Sequence, residues 1–265
     1  MNTNSNTYTV IYSIILVVVV AAVLAFVAKF LQPMQEANVK KDTISQILTA
    51  AEIKFDESNI LETYQDSIEI ALLVDLTGKP VDTLDTNAKT CKVYSTSDLK
   101  KQISASDKKL PVYIFKNGIT VIPCYGAGLW GPIWGYIGLT DDYTTIKAVC
   151  FGHKGETPGL GAKIADEPSF ALAFAGKQIG AEKDKFFEIS KPGTKALGDA
   201  QHVDAISGAT ITSQALGKTL NQWFGFYEGY LSNKKANAEA NTEAVTEAET
   251  GENSENVEQT KNEEK

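Results

Sequence analysis

The sequence predicts an α+β fold, in which a single N-terminal transmembrane helix precedes a mixed, mostly antiparallel sheet domain with flanking helices. Three observations support it: a long uncharged apolar run near the N-terminus, short apolar runs separated by turn signals, and helical spacing without a strict βαβ rhythm. The 265 residues are accordingly divided into a leader at 1–9, an anchor at 10–31, a folded domain at 32–232 and an acidic, disordered tail at 233–265.

The proposed anchor contains a run of 19 residues without a charge, at positions 10–28. At about 1.5 Å per residue, a helix of this length can cross the hydrocarbon layer of a membrane. A cleaved signal peptide would have a basic leader, and residues 1–9 contain no Lys or Arg. We therefore expect an uncleaved single-pass anchor. Its flanking charges, Lys29, Lys40 and Lys41, weakly favour a domain in the cytoplasm.

Periodicity and turn signals predict the elements of the domain. Helices are expected at 32–55, from about Pro168 and after Thr210, and strands at 68–74, around Val93, at 134–139 and at 146–151. The clearest signal is Asn117-Gly118 between the apolar runs 110–115 and 119–122, because Asn-Gly between such runs is typical of a β-hairpin.

Charge and cysteine content narrow the function classes. The segment 233–265 has nine Glu, four Lys and no aromatic residue, so it carries −5 of the formal net charge of −8 and is expected to be disordered. No basic stripe with interleaved aromatic residues occurs, and we expect no nucleic-acid binding. Cys91, Cys124 and Cys150 lack CxxC spacing, which disfavours a metal site. Buried thiols are favoured over a disulfide, whose pairing the sequence would not identify.

Two glycine-containing segments have the composition of binding loops. In residues 128–133, GLWGPI, the side chains of Leu129 and Trp130 offer a flat apolar surface, and the segment leads into a strand, which excludes a dinucleotide-binding turn. In residues 156–161, ETPGLG, a Pro-Gly turn follows Glu156 and Thr157, whose polar groups are available to a ligand.

The third segment, residues 204–210 with the sequence DAISGAT, precedes the predicted C-terminal helix. On its own it is typical of a turn followed by a helix start. Thr210 would then lie at the helix N-terminus, where free N–H groups and the positive end of the helix dipole favour a phosphate.

In this order the three segments resemble the signatures of the FMN-binding domain family. Together with the anchor and the extra helix and hairpin before residue 128, they are similar to the C subunits of sodium-translocating NADH:quinone oxidoreductases. The resemblance implies that a flavin transferase joins FMN covalently, through its phosphate, to the hydroxyl of Thr210. The other implied cofactor contacts are Asp204, Ser207, Gly208, Ala209, Leu129, Trp130, Glu156, Thr157, Leu160 and Gly161.

The same resemblance implies an electron carrier that works with the other subunits of the complex. It also implies a location in the cell inner membrane with the main domain facing the periplasm, opposite to the weak charge signal. A long domain can translocate regardless of such charges. Two alternatives stay open, namely a G subunit of an Rnf-type ferredoxin:NAD oxidoreductase and a membrane-anchored binding or structural module whose Thr210 is unmodified. A threonine nucleophile is disfavoured because no partner base is identifiable.

Overall fold

The structure, a computed structural model, describes residues 6–180 and 185–259, without the side chains of 238–259. The chain separates into two compact units, Met1–Asp42 and Thr43–Lys265.

The first unit consists of the greater part of helix α1 (Asn6–Ala50), which exposes large apolar side chains along the uncharged run. Within the described part of the chain, α1 is the one helix long and apolar enough to cross a membrane. The predicted anchor therefore lies on a helix. The prediction of a further helix at 32–55 is corrected in its bounds: α1 passes through Pro33 without ending and stops at Ala50.

The second unit is built on a six-stranded antiparallel sheet with the order β2-β1-β3-β4-β5-β6. Its strands are β1 (Ile68–Val74), β2 (Pro80–Thr83), β3 (Leu110–Phe115), β4 (Thr120–Ala127), β5 (Pro132–Leu139) and β6 (Ile146–His153). The predicted hairpin is confirmed as β3–β4, and Gly118 adopts the positive φ of 84° that its turn requires. The strand predicted around Val93 is wrong, because Val93 lies in a loop.

Helices cover both faces of this sheet. They are α2 (Ile60–Ser67), α3 (Thr96–Ser104), α4 (Lys163–Asp166), α5 (Pro168–Leu172) and α6 (Thr210–Gln259), and a small parallel pair is formed by β7 (Glu188–Ser190) and β8 (His202–Asp204). The end of α1 and α2 pack on one face in a cluster that includes Tyr113. On the other face, α6 packs in a cluster that includes Val112. Neighbouring residues of β3 thus point to opposite layers, as strand alternation requires.

Helix α6 is tied to the sheet by two buried hydrogen bonds. Trp223 Nε1 donates to the carbonyl of Tyr125 and the Tyr227 hydroxyl donates to that of Pro111, both at 2.7 Å. Packing continues just past the predicted boundary of the folded domain at residue 232, because Asn233 Nδ2 donates to the Thr77 carbonyl at 3.0 Å.

The acidic segment continues α6 as a helix to Gln259. Ala, Glu and Lys have high helix propensity, and no Pro interrupts them, so local preference favours this backbone. The last buried residue among the described side chains is Leu231, so the segment adds nothing to the core described here. Disorder of 233–265 in solution stays a prediction, and residues 260–265 lie outside the described part of the chain.

Candidate flavin site

The three sequence segments converge on one cavity of about 300 Å³. The first segment joins β4 to β5, the second follows β6, and the third contains the start of α6. The cavity is lined by Leu129, Trp130, Glu156, Thr157, Leu160, Gly161, Gly208, Ala209, Thr210, Ile211 and Thr212.

The β4–β5 loop presents apolar side chains at the edge of the cavity. The Gly128 N–H donates to the Gly131 carbonyl at 2.8 Å and closes a tight turn. Leu129 and Trp130 at its tip are 47% and 70% exposed. This loop therefore supplies an uncovered apolar surface beside the cavity, which a planar ligand could cover.

The loop after β6 is folded by its own backbone. The carbonyl of Thr157 accepts from the N–H groups of Leu160 and Ala162, each at 3.1 Å, and encloses the Pro-Gly turn. Gly159 lies at φ 75°, in the left-handed region that favours glycine. This geometry turns Leu160 toward the cavity wall.

The β4–β5 loop and the loop after β6 form two walls of the cavity, and the start of α6 forms the third. Gly208 has a φ of 79°, and the Ala209 N–H donates to the Ile206 carbonyl at 3.0 Å, which turns the chain into the helix. Helix α6 begins at Thr210. The N–H groups of its first turn have no acceptor within the helix, and they bring the positive end of the helix dipole to the cavity.

A buried carboxylate joins the three walls. Glu156, 3% exposed, accepts from the Trp130 N–H through Oε1 at 2.8 Å and from the Thr212 hydroxyl through Oε2 at 2.7 Å. A Cβ at Gly128 or at Gly161 would lie 2.5 Å from this carboxylate, so a larger residue at either position would displace the carboxylate.

The hydroxyl groups near the start of α6 are not equivalent. Thr212 is buried and donates to Glu156, and the buried Ser213 hydroxyl donates to the Ala209 carbonyl and accepts from the Ile206 N–H. The Thr210 hydroxyl, half-buried in the cavity wall, has no hydrogen-bond partner among the described residues. Of these three hydroxyls, that of Thr210 is the one available for chemistry in the cavity.

Nine of the eleven residues predicted for the site line this cavity, and Ser207 and Asp204 do not. Ser207 is exposed, and Asp204 lines a second cavity of about 760 Å³ together with residues of α4 and α5. The sequence prediction omitted Ile211, which lines the cavity and is 62% exposed. Its position directly after the candidate threonine could have indicated a contact with the cofactor. Thr212, which also lines the cavity, was not among the predicted site residues.

Lysines that would balance a negative ligand are not in the described lining. Lys163 lines the second cavity and pairs with Glu167 at 4.0 Å, and Lys177 Nζ donates to the Asp199 carbonyl at 2.7 Å. The positive end of α6 is therefore the main attraction for an anion at Thr210.

The cavity suits a flavin mononucleotide in each of its parts. The start of α6 suits a phosphate, the exposed surfaces of Leu129, Trp130 and Leu160 suit a large planar ring, and the glycines let backbone approach it closely. The chain thus has the architecture of a flavin-binding domain that follows a helix long and apolar enough to cross a membrane. The family described as FMN-binding domain matches residues 128–225, a range that includes all three segments.

Comparison with full-length proteins identifies the family. The chain is 32% identical over 213 residues to NqrC, the C subunit of the Na⁺-translocating NADH-quinone reductase, of Haemophilus ducreyi, covering 75% of this chain and 81% of that protein. The crystal structure of the C subunit from Parabacteroides distasonis superposes with a TM-score of 0.63 at 32% identity, covering 76% of this chain and 96% of that one. For NqrC of Shewanella oneidensis the TM-score is 0.60 at 29% identity, with 76% and 99% covered.

The chain belongs to the family of Na⁺-translocating NADH-quinone reductase C subunits. The predicted resemblance and the α+β fold with its N-terminal helix are confirmed. An Rnf G subunit and a module without flavin are not favoured.

Proposed function

We propose that this chain is the electron-carrying subunit of a sodium-translocating NADH:quinone oxidoreductase, with FMN joined covalently through its phosphate to Oγ1 of Thr210. The observation that carries the attachment is the hydroxyl geometry. Thr210 alone combines a place in the cavity wall, a position at the start of α6 and a hydroxyl that no described residue engages. FMN would supply one- and two-electron redox chemistry at this place.

Each wall of the cavity has a part in holding this cofactor. The first turn of α6 would stabilise the phosphodiester charge, and Leu129, Trp130 and Leu160 would hold the ring. Thr157, which lines the cavity, would be available to the polar edge of the ring. The strong exposure of the rim residues suits a carrier that must approach its redox partners closely.

The attachment requires a flavin transferase and an activated FMN donor. A bond forms between Thr210 Oγ1 and phosphorus while the bond from phosphorus to the donor's leaving group breaks. The hydroxyl proton is lost, so the chain gains the mass of FMN less water. Ser207, Thr212 and Ser213 stay unmodified, since the last two hydroxyls are buried and engaged and the first lies outside the cavity lining.

The setting that we propose is the cell inner membrane, with α1 as a single-pass anchor and the domain facing the periplasm. Its partners are the other subunits of the complex, and oxidation of NADH, reduction of quinone and the sodium path belong to them. Support comes from the length and apolar surface of α1 and from the family of the chain.

The proposal is tested by producing the full chain together with an active flavin transferase and measuring its mass after denaturation. We expect the wild type to gain the mass of one FMN less water and to fluoresce in a denaturing gel. Thr210→Ala should lose both signals. Ser207→Ala, which removes a neighbouring exposed hydroxyl outside the cavity lining, should retain the modification.

Two results would contradict the proposal. Covalent flavin on Thr210→Ala would place the attachment elsewhere. An unmodified wild-type chain from a membrane fraction, with a transferase that modifies a known substrate in the same cells, would favour a binding module without covalent flavin.

A further inference from the structure

We infer that Glu156 is a positioning residue, whose buried carboxylate fixes the three walls of the cavity and holds a negative charge beside the flavin. The first part depends on the protein contacts alone. The second part rests on the proposed function, because it concerns the bound cofactor.

The carboxylate connects residues that are far apart in sequence. Trp130 lies 26 positions before Glu156 and Thr212 lies 56 positions after it, and each donates one short hydrogen bond to a different oxygen. The backbone of the Trp130 loop and the first turn of α6 are therefore held to the same side chain. Removing this side chain leaves the buried Thr212 hydroxyl without its acceptor, which is costly for a polar group that is 1% exposed.

Two glycines leave the space that the Glu156 carboxylate occupies. Gly128 and Gly161 approach it from two sides, so closely that a Cβ at either position would displace it. The carboxylate therefore packs closely against the backbone at both positions. Glu156 acts on the flavin through the walls and through its charge.

The charge has no counter-ion in the described part of the chain. No Lys or His within it forms an ion pair with Glu156, and both oxygens accept hydrogen bonds from the protein. The start of α6 offers partial compensation. A fixed negative charge in the cavity wall opposes the arrival of an electron there and lowers the reduction potential of a flavin bound beside it.

The contacts are tested on the chain without flavin by measuring hydrogen exchange of the Trp130 backbone amide. We expect about tenfold faster exchange in Glu156→Ala and a smaller increase in Thr212→Val, which loses one of the two bonds. Glu156→Gln should stay close to wild type, since its amide oxygen can accept from Trp130 while its amino group donates to the Thr212 oxygen. Unchanged exchange in both Glu156→Ala and Thr212→Val would overturn the positioning role.

The charge is tested on the flavin-loaded full chain by redox titration. Glu156→Gln should raise the potential by roughly 59 mV, a tenfold change in the one-electron equilibrium constant. Glu167→Gln, the same change outside the cavity lining, should leave it unchanged. A wild-type potential in Glu156→Gln would overturn the electrostatic role. If the wild type carried no flavin at all, the proposed function would fail while the exchange result still judged the contacts.

Discussion

At the residue scale, Asp142 shows how one side chain organises a turn. Between β5 and β6, its Oδ1 accepts from the Thr140 hydroxyl and from the N–H groups of Thr144 and Thr145, and its Oδ2 accepts from the Thr145 hydroxyl. Partial burial raises the pKa of this carboxyl, but the hydrogen bonds from Thr145, Thr144 and Thr140 outweigh that effect and hold the pKa well below its usual range.

This pKa predicts how the stability of Asp142→Asn depends on pH. A folded-state pKa below the unfolded value contributes stability that is complete above the unfolded pKa of about 3.9 and is lost as the pH falls toward the folded value. At pH 7 we expect the variant to lose about 1 kcal/mol of unfolding free energy after screening by solvent is allowed for. The difference from wild type should shrink below about pH 4.

Urea denaturation at several pH values measures this effect. Asp141→Asn removes a neighbouring exposed carboxylate and serves as the control. An equal loss in both variants at pH 7 would contradict the role assigned to Asp142.

The sequence predicted which residues line the cavity better than it predicted the hydrogen bonds between them. The signatures named nine residues of the cavity lining, because each signature is local and fixed in composition. The hydrogen bonds of Glu156 to Trp130 and Thr212 could not be predicted, since they join segments brought together only by the tertiary fold. The resemblance implied a cofactor contact for Glu156, which stays a prediction, and the hydrogen bonds to the protein are a role that the sequence did not indicate.

At the scale of elements, α6 serves both the core and the site. Its first turn forms a cavity wall, while Trp223 and Tyr227 further along hydrogen-bond to carbonyls of the sheet. Tyr230, on the next turn of the helix, is also buried, but its hydroxyl has no partner among the described residues.

Tyr227 and Tyr230 of α6 allow a comparison of two buried hydroxyls, one hydrogen-bonded and one without a partner among the described residues. Tyr227→Phe should lower the free energy of unfolding by about 1–2 kcal/mol, because it leaves the buried Pro111 carbonyl without its donor. Tyr230→Phe removes a buried hydroxyl that has no bond to lose, and we expect it to be neutral or stabilising. Thermal and denaturant unfolding of both variants make the comparison. An equal loss would show that the Tyr227 hydrogen bond is not the cause.

Elements with strong local signals were predicted, and elements fixed by tertiary contact were not. The β3–β4 hairpin carries an Asn-Gly turn between apolar runs, and β3 was predicted at its observed bounds. The second run, 119–122, gave the start of β4 but not its end, because the strand continues to Ala127. All four residues of β2 are exposed at the sheet edge, so it lacks the apolar pattern. Val93 resembles a strand residue by composition, yet no neighbouring strand pairs with it.

At the scale of the whole molecule, the two units differ in the surface they present: the run 10–28 of α1 is apolar and suited to lipid, and the domain encloses its apolar residues and is suited to water. The unit Thr43–Lys265 encloses a core on both faces of its sheet, whereas the uncharged run of α1 exposes its apolar side chains along its length. The folded domain therefore contains its own stabilising contacts.

Removal of residues 1–31 should convert the protein to a soluble one. We expect the shortened chain to stay in the supernatant after ultracentrifugation without detergent and to unfold cooperatively, while the full chain sediments with membranes. A chain lacking residues 238–265 is the control, and it should sediment like wild type. Sedimentation of the shortened chain with membranes would show that another part of the molecule binds them.

At the start of α6 two hydroxyls are buried and hydrogen-bonded, whereas that of Thr210 is not engaged by a described residue. The position of the flavin would therefore show whether the chain was folded when it was modified. An unfolded chain would present Thr210, Thr212 and Ser213 alike, and only the native fold hides two of them. Under the proposed function, a chain that carries FMN on Thr210 alone had already folded when the flavin transferase modified it. By the same reasoning, flavin found on Thr212 or Ser213 would show that the chain was modified before it folded.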